Sequence, residues 1–448
     1  MGQGKTRQLY NLWAVYASVP PATGFLYTDY LGEGHNNPEL SLFDTNLLQQ
    51  IDRVNSFNYS FNVDRTNLTQ LGKRDLIDNV IVNRPSVQVG FDYWMIDVKN
   101  ESRLGFAVNY PDVWGNPISN EEICFIRNFT GQQTDYRNLF VAVSPDNGDL
   151  RNRINDRFSP FYGEKELNPS GLFVYGFGNC YINSYQVNLS VGNIPRASVG
   201  YICDNVMGFL SGSGVSTPAV LPKSGNIVPD VKFTIPPLDS SPNPIVILPG
   251  DITIKLGNTP ATGFSVTELS DVLFGVSSSG IPIQSFSMSV DLPREDLRSI
   301  GYVLPVDRRI NFPVFAKINL SSLIGDSHTG SLIDILNENK SHDLLITMYN
   351  PGCGSNKDIA IQYKIKNAKL ENVNYDYNLT NNLVGNFSFT AEIDVNNPSK
   401  GIFISGAANN IYPEFPFNYL LLGTDQTGFL QTPQYNVLIT SQNFISPV

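Results

Sequence analysis

Histidine, methionine and tryptophan are scarce in this chain, at 3, 5 and 3 of 448 residues. The histidines, His35, His328 and His342, have no Cys, Asp or Glu around them at metal-ligand spacing, so the sequence offers no metal centre. A solvated loop position is expected for His342, which follows Lys340-Ser341. Charged residues make up only 16% of the chain, and 30 Lys and Arg against 41 Asp and Glu leave a net charge of −11. That balance argues against a protein that grips nucleic acid by its phosphates. No apolar run approaches the length of a membrane span, and the N-terminal text lacks the apolar core and cleavage site of a signal peptide, so synthesis in a cytoplasm is expected. The four cysteines, Cys124, Cys180, Cys203 and Cys353, show neither metal spacing nor a paired framework and are expected to be reduced and structural.

Catalytic text is equally thin. No GxSxG context occurs. Gly2-Gln3-Gly4-Lys5-Thr6 resembles only the end of a phosphate-binding loop, without the upstream glycine and strand that such a loop needs. Glu121 and Glu122 are adjacent, and neighbours on a strand point to opposite faces, which does not suit a paired-carboxylate mechanism. Neither an enzyme nor a cofactor is expected.

What the chain does have is an internal repeat. Ser56–Gly72 (SFNYSFNVDRTNLTQLG) reappears as Ser285–Gly301 (SFSMSVDLPREDLRSIG), 229 positions later (285 minus 56). Without a gap, Ser56, Phe57, Ser60, Arg65, Leu68 and Gly72 are matched by Ser285, Phe286, Ser289, Arg294, Leu297 and Gly301. Pro21-Ala22-Thr23-Gly24-Phe25 also recurs, as Pro260-Ala261-Thr262-Gly263-Phe264. Asn83-Arg84-Pro85 against Asn311-Phe312-Pro313 suggests a one-residue deletion in the second copy. Two related units in tandem are implied.

Each copy begins with a strand of period two. Phe57, Tyr59, Phe61 and Val63 alternate with Ser56, Asn58, Ser60 and Asn62; Phe286, Met288, Val290 and Leu292 alternate with Ser285, Ser287, Ser289 and Asp291. Later in each unit Tyr185, Val187, Leu189 and Val191 alternate with Ser184, Gln186, Asn188 and Ser190, and Val373, Tyr375, Tyr377 and Leu379 with Asn372, Asn374, Asp376 and Asn378. None of the sixteen polar positions is Lys or Arg, and only Asp291 and Asp376 are charged. A solvated antiparallel strand explains alternation by itself, but its outer face ordinarily carries long charged side chains. These faces suit a surface that must not hold what passes it. Arg65 and Arg294 follow the two strands at matched positions and are expected to bond carbonyls or a carboxylate across an interface, while Gly72 and Gly301 are expected to adopt positive φ.

The resulting organisation is mainly β: two tandem β-barrel or sandwich domains, each with a short helix, plus extended terminal arms. An arm is expected at 1–20, domains at 21–210 and 250–395, a Pro/Gly/Ser-rich linker at 211–249, and an extension at 396–448 that packs on a neighbour. Helices are expected within Asp149–Arg157 and Gly330–Lys340, the latter with Ser331 as N-cap.

On the PATGF text, the run Phe57–Gly72, the segments NRPSVQVGF from Asn83 and NESRLGF from Asn100, and in the second unit Ser285–Gly301, Arg308–Phe315 and Ile361–Ile393, the chain resembles tailed-bacteriophage major tail tube proteins. The resemblance implies tail-tube-type domains whose inner sheets join into rings, stacked as a hollow conduit for DNA in the virion tail. Such subunits work with terminator, baseplate and tape-measure proteins, and DNA passes without specific binding. Family members often carry one unit per chain and six chains per ring, whereas two units per chain point to trimeric, pseudo-hexameric rings. The sixteen polar positions then become candidate lumen residues. A receptor- or carbohydrate-binding β-sandwich of a virion is the competing class.

Overall fold

A computed structural model describes residues 13–18, 48–81, 86–109, 122–130, 136–143, 173–210, 215–228, 232–233, 246–258, 265–267, 283–323, 341–351, 359–376 and 384–406. The strands of the first half are β1 (Trp13–Ser18), β2 (Leu48–Ile51), β3 (Val54–Phe61), β4 (Arg65–Leu68), β5 (Asp78–Ile81), β6 (Val87–Trp94), β7 (Val108–Asn109), β8 (Arg137–Val143), β9 (Phe173–Ser190), β10 (Arg196–Cys203) and β11 (Asn205–Leu210). A short pair, β12 (Val215–Ser216) and β13 (Lys232–Phe233), lies between the halves. The second half supplies β14 (Ile252–Asn258), β15 (Ser265–Thr267), β16 (Ile283–Asp291), β17 (Arg294–Leu297), β18 (Asp307–Ile310), β19 (Val314–Leu323), β20 (His342–Tyr349), β21 (Ile359–Asp376), β22 (Val384–Ile393) and β23 (Gly401–Gly406). One helix, α1 (Lys99–Leu104), precedes β7 and is closed by Gly105 in the left-handed conformation.

The central layer is an antiparallel sheet in the order β3–β6–β10–β9–β16–β19–β22–β21. Its two four-stranded halves meet where β9 pairs β16, from Ser285 opposite Ser190 to Asp291 opposite Ser184. Each half turns into a second layer through one very long strand. The first part of β9 pairs β8 and β11, and the first part of β21 pairs β20 and β23. Asn179 and Asn367 mark the two corners, with φ of 51° and 60°. Asparagine tolerates this region better than most residues. Asn179 also pairs with Val220 as a backbone would, donating Nδ2–H to its carbonyl (3.0 Å) and accepting its N–H (2.9 Å).

The pairing of one half recurs in the other. The bulge between Val54 and Ser56 on β3 is matched by that between Ile283 and Ser285 on β16. The bulge between Gly200 and Tyr201, opposite Ser184 and Ile182, is matched where Asn372 and Leu370 face Ser388 and Phe389. The hairpins β4–β5 and β17–β18 align Arg65 with Ile81 and Arg294 with Ile310. Phe57 faces Phe91 as Phe286 faces Leu320, so both strands of each pair keep the 229-residue spacing (286 minus 57, 320 minus 91). The matches on either side of residue 83 therefore leave no room for the deletion suggested by Asn83 and Asn311.

Beneath the central sheet the apolar faces interlock into one core, in which Phe91, Tyr201, Tyr185 and Phe106 pack in the first half and Ile318, Phe389, Ile346 and Ile404 in the second. Burial of this surface is the main driving force for the layering. Three expectations change. Cys180 and Cys203, opposite ends of the β9–β10 corner, form a disulfide with their Cα atoms 4.0 Å apart, rather than standing reduced; the matching positions of the second half, Ala368 and Ala391, face each other without one. His342 is buried in β20 with its ring edge-on to Phe389, not solvated in a loop. Within the expected extension, residues 401–406 form β23, whose Ile402 and Ile404 are fully buried, while 407–448 lie outside the described residues; β1 of the N-terminal arm pairs with β2 and β8. The helices expected at 149–157 and 330–340 lie outside the described residues, as do the PATGF segments. Of the 211–249 stretch, residues 215–228 are laid against the protein: the Pro222 carbonyl accepts the N–H groups of Val303 and Leu304, and Asn205 donates to the Pro218 carbonyl.

Candidate functional site: a polar sheet face between two edges

Directly opposed residues of an antiparallel pair project to one face, so the registers show which polar side chains meet. Ser285, Ser287, Ser289 and Asp291 stand beside Ser190, Asn188, Gln186 and Ser184. Ser56, Asn58 and Ser60 stand beside Asp92, Gly90 and Gln88 at one end of the sheet, and Asn372 and Asn374 beside Ser388 and Asn386 at the other. The face reads across all eight strands. Asn62 lies just past β3, Asp376 ends β21, and Asn378 is outside the described residues.

Within the face, polar groups satisfy one another. Ser388 donates to Asn319 Oδ1 (2.9 Å) and Gln186 to Asn188 Oδ1 (3.2 Å). Ser56 donates to Asp92 Oδ1, and Asn55 to its Oδ2 (3.0 Å). Gly90 lies under Asn58, where a β-carbon would come within 2.9 Å of the amide oxygen. The intervening strands add what alternation in four strands did not reveal: exposed Arg196 beside Asn188 and exposed Lys317 beside Ser289. Asp92 and Asp291 share the face with them. Reading β10 and β19 in the same phase as their neighbours would have found both cations.

At the middle of the face, the β9–β16 junction is anchored on its flank by the β17–β18 hairpin. Arg294 Nε donates to the Ile182 carbonyl (2.7 Å) and Nη1 to the Arg308 carbonyl (2.7 Å). Arg308 pairs with Asp204 (2.7 Å), side chains 7% and 4% exposed, and with Asp296 (3.2 Å). Both guanidinium groups lie over the Tyr181 ring, at 5.2 and 5.7 Å from its centre. Such desolvated, bidentate-capable cations favour fixed geometry over sliding contact. Arg65, the match of Arg294, is exposed and, among the described residues, reaches the Asn79 carbonyl alone, at 3.4 Å. Gly72 and Gly301 both have positive φ, 88° and 85°.

A second anchor is fully buried. Tyr93 and Tyr185 donate to Glu101 Oε1 (2.8 and 3.1 Å), and the Tyr185 hydroxyl lies 2.8 Å from that of Tyr363 on β21. Burial pushes the Glu101 carboxyl up to about 7, against the opposing effect of the two tyrosine hydroxyls. The cluster ties α1, β6 and β9 to the second half. No feature of the sequence text brings residues 93, 101, 185 and 363 together.

Among the described residues no group of three or more His, Cys, Asp or Glu could hold a metal ion, and no helix is long and apolar enough to cross a membrane. No family model and no curated protein matches the chain. Several solved structures are similar in part, among them these two. One is the baseplate of the anti-feeding prophage (AFP), at 8% identity and a TM-score of 0.21, covering 35% of this chain and 93% of that one. The other is the SPP1 tail tube, at 11% identity and a TM-score of 0.23, covering 43% of this chain and 94% of that one.

Proposed function

We propose that this protein is a structural subunit of a bacteriophage tail, assembling into stacked rings that enclose a conduit for DNA, and that it is not an enzyme. The two halves are read as copies of one unit, so three chains make a pseudo-sixfold ring. The observation that carries the reading is the continuous eight-stranded sheet, with an apolar face packed on the core and a face dominated by Ser, Asn, Gln and Gly. Such a face hydrogen-bonds to water readily and gives a polyanion few charges to stall on. Arg196, Lys317 and Lys369 are the cationic exceptions, and Asp92, Asp291 and Glu392 stand on the same surface.

Under this reading the face lines the lumen, the second layer faces outward, and terminator, baseplate and tape-measure proteins are the partners in the tail. Electron cryo-microscopy of assembled protein or of virion tails tests it. Six sheet halves from three chains around an open channel, with Gln186 and Ser287 facing the channel, are expected. A monomer that never assembles at high concentration overturns the reading, and six chains per ring removes the threefold arrangement.

A further inference from the structure

Within the central sheet the halves meet at one seam, β9–β16, while β7 and β23 pair in parallel beside it; among the described residues the two ends of the sheet keep exposed the parts from which a second such seam could be made. On β16, Phe286, Met288 and Val290 are buried because the strand lies between β9 and β19. On β3, the matching strand, Tyr59 and Phe61 are 45% and 59% exposed, and β6 is its one paired neighbour among the described residues. At the other end, residues 370–376 of β21 pair β22 alone among the described residues, whereas the matching part of β9, 182–188, pairs β10 and, from Ser184, β16 as well. An unpaired strand edge beside exposed aromatic side chains is a template for another strand.

We infer that β3 of one copy docks on the C-terminal part of β21 of a second copy, in the register that β16 already takes on β9. This rests on the ring reading above and deepens it by naming the contact. The internal pairs Ser289 with Gln186 and Val290 with Tyr185 translate to Ser60 with Asn374 and Phe61 with Val373, since β3 precedes β16 by 229 positions (289 minus 60) and β9 precedes β21 by 188 (367 minus 179). Phe61 and Tyr59 then continue the core across the boundary, and Asn58, Ser60 and Asn62 continue the polar face.

The flanking hairpin follows. Arg294 on β17 donates to the Ile182 carbonyl; its match, exposed Arg65 on β4, is thereby placed to donate to the Leu370 carbonyl of the second copy. Leu68 and Ile81 of the same hairpin, 44% and 50% exposed, come under cover with it. The contact is heterologous, so repetition builds a ring where the rotation closes and an open filament where it does not; the ring reading requires closure. A pair of identical free edges would have made a twofold dimer instead; here the edges differ and complement each other.

The test is oxidative cross-linking of the full chain carrying Ser60→Cys with Asn374→Cys, against Asn58→Cys with Asn372→Cys as an out-of-register control and the unaltered chain as background. Covalent oligomers ending at the closed ring, formed at least tenfold faster for the first pair, are expected. Arg65→Ala, exposed in the single chain, should raise the concentration for half-assembly about tenfold, the loss of one charge-assisted hydrogen bond. Equal cross-linking in both registers, or assembly indifferent to Arg65→Ala, overturns the junction. If rings are seen by electron microscopy while Ser60→Cys with Asn374→Cys stays unlinked, the junction fails and the ring reading stands; if no ring forms from the unaltered chain under any condition, both fail.

Discussion

Strands β3 and β16, with the hairpins β4–β5 and β17–β18 that follow them, carry related text and share the pairing to the next long strand, β6 and β19, yet they sit in opposite environments. Met288 and Val290 are fully buried, and Arg308 of the second hairpin is held by Asp204. Tyr59 and Phe61 are exposed, and every residue of β4 is exposed. The difference does not lie in the strands themselves. It lies in what their own chain places beside them: β9 for the one, nothing among the described residues for the other. The positions at which the two halves differ include the anchors. Arg308 corresponds to Asn79, Asp204 to Glu392, Tyr185 to Val373 and Tyr93 to Ser322. The junction within the chain is locked by buried polar groups; the inferred junction between chains would be built mainly of backbone pairing and apolar contact.

That contrast can be broken most severely at Arg308. Arg308→Ala removes the guanidinium that Asp204 faces in a buried pair and is expected to cost about 4 kcal/mol, as removal of one member of such a pair does, measured by urea unfolding. Asn79→Ala on the exposed hairpin should fall within about 0.5 kcal/mol of the unaltered chain.

Next in size is the effect of pH through Glu101. Its folded carboxyl, raised to about 7 from 4.5, keeps its proton when the unfolded chain has lost it. Stability is therefore fully present below about pH 4.5 and declines as pH rises through 7, by about 3 kcal/mol for this group alone. Tyr93, Tyr185 and Tyr363 face it, and Asp97 adds a further charge that opposes ionisation. Glu101→Gln should flatten the pH profile between 4.5 and 7 in chemical denaturation; an unchanged slope would assign the dependence elsewhere.

Replacing both Cys180 and Cys203 by alanine recreates the Ala368–Ala391 pair of the second half. The fold should survive, with a loss of about 2 kcal/mol, since a disulfide chiefly restrains the unfolded chain; circular dichroism and thermal midpoints under reducing and oxidising conditions read it. The smallest effect sharpens the comparison in the other direction. Asn79→Arg gives the exposed hairpin the cation that Arg308 supplies to the buried one, opposite Glu392 of a second copy. Single-chain stability should not move, and assembly should tighten by a few fold, the size of a partly exposed ion pair.

Much of the central sheet was legible because the pattern is period two and written twice. The alternating strands, the 229-residue spacing, the positive φ at Gly72 and Gly301, and a carbonyl-bonding role for Arg294 all follow from local text. The helix at 99–104 was not, because its text, KNESRL, is too short to show a helical period. Other features depend on register, which only strand pairing sets. Arg196 and Lys317 join the polar face through their neighbours across β10 and β19, and Glu101 finds its tyrosines across both halves. The bonded cysteines are 23 positions apart in sequence and meet because β9 and β10 run antiparallel there. The Asn83–Asn311 match misled because three residues of similar text outweighed the strands on either side.

Pairing of β16 with β9 inside one chain has a kinetic meaning. A tethered contact forms at an effective concentration set by the connecting segment, independent of how much protein is present. A contact between chains must wait for collision. In a closed ring of three, half of the six seams would be made during folding, and the order of assembly in protein concentration would fall with them. Dilution would then open alternate seams first.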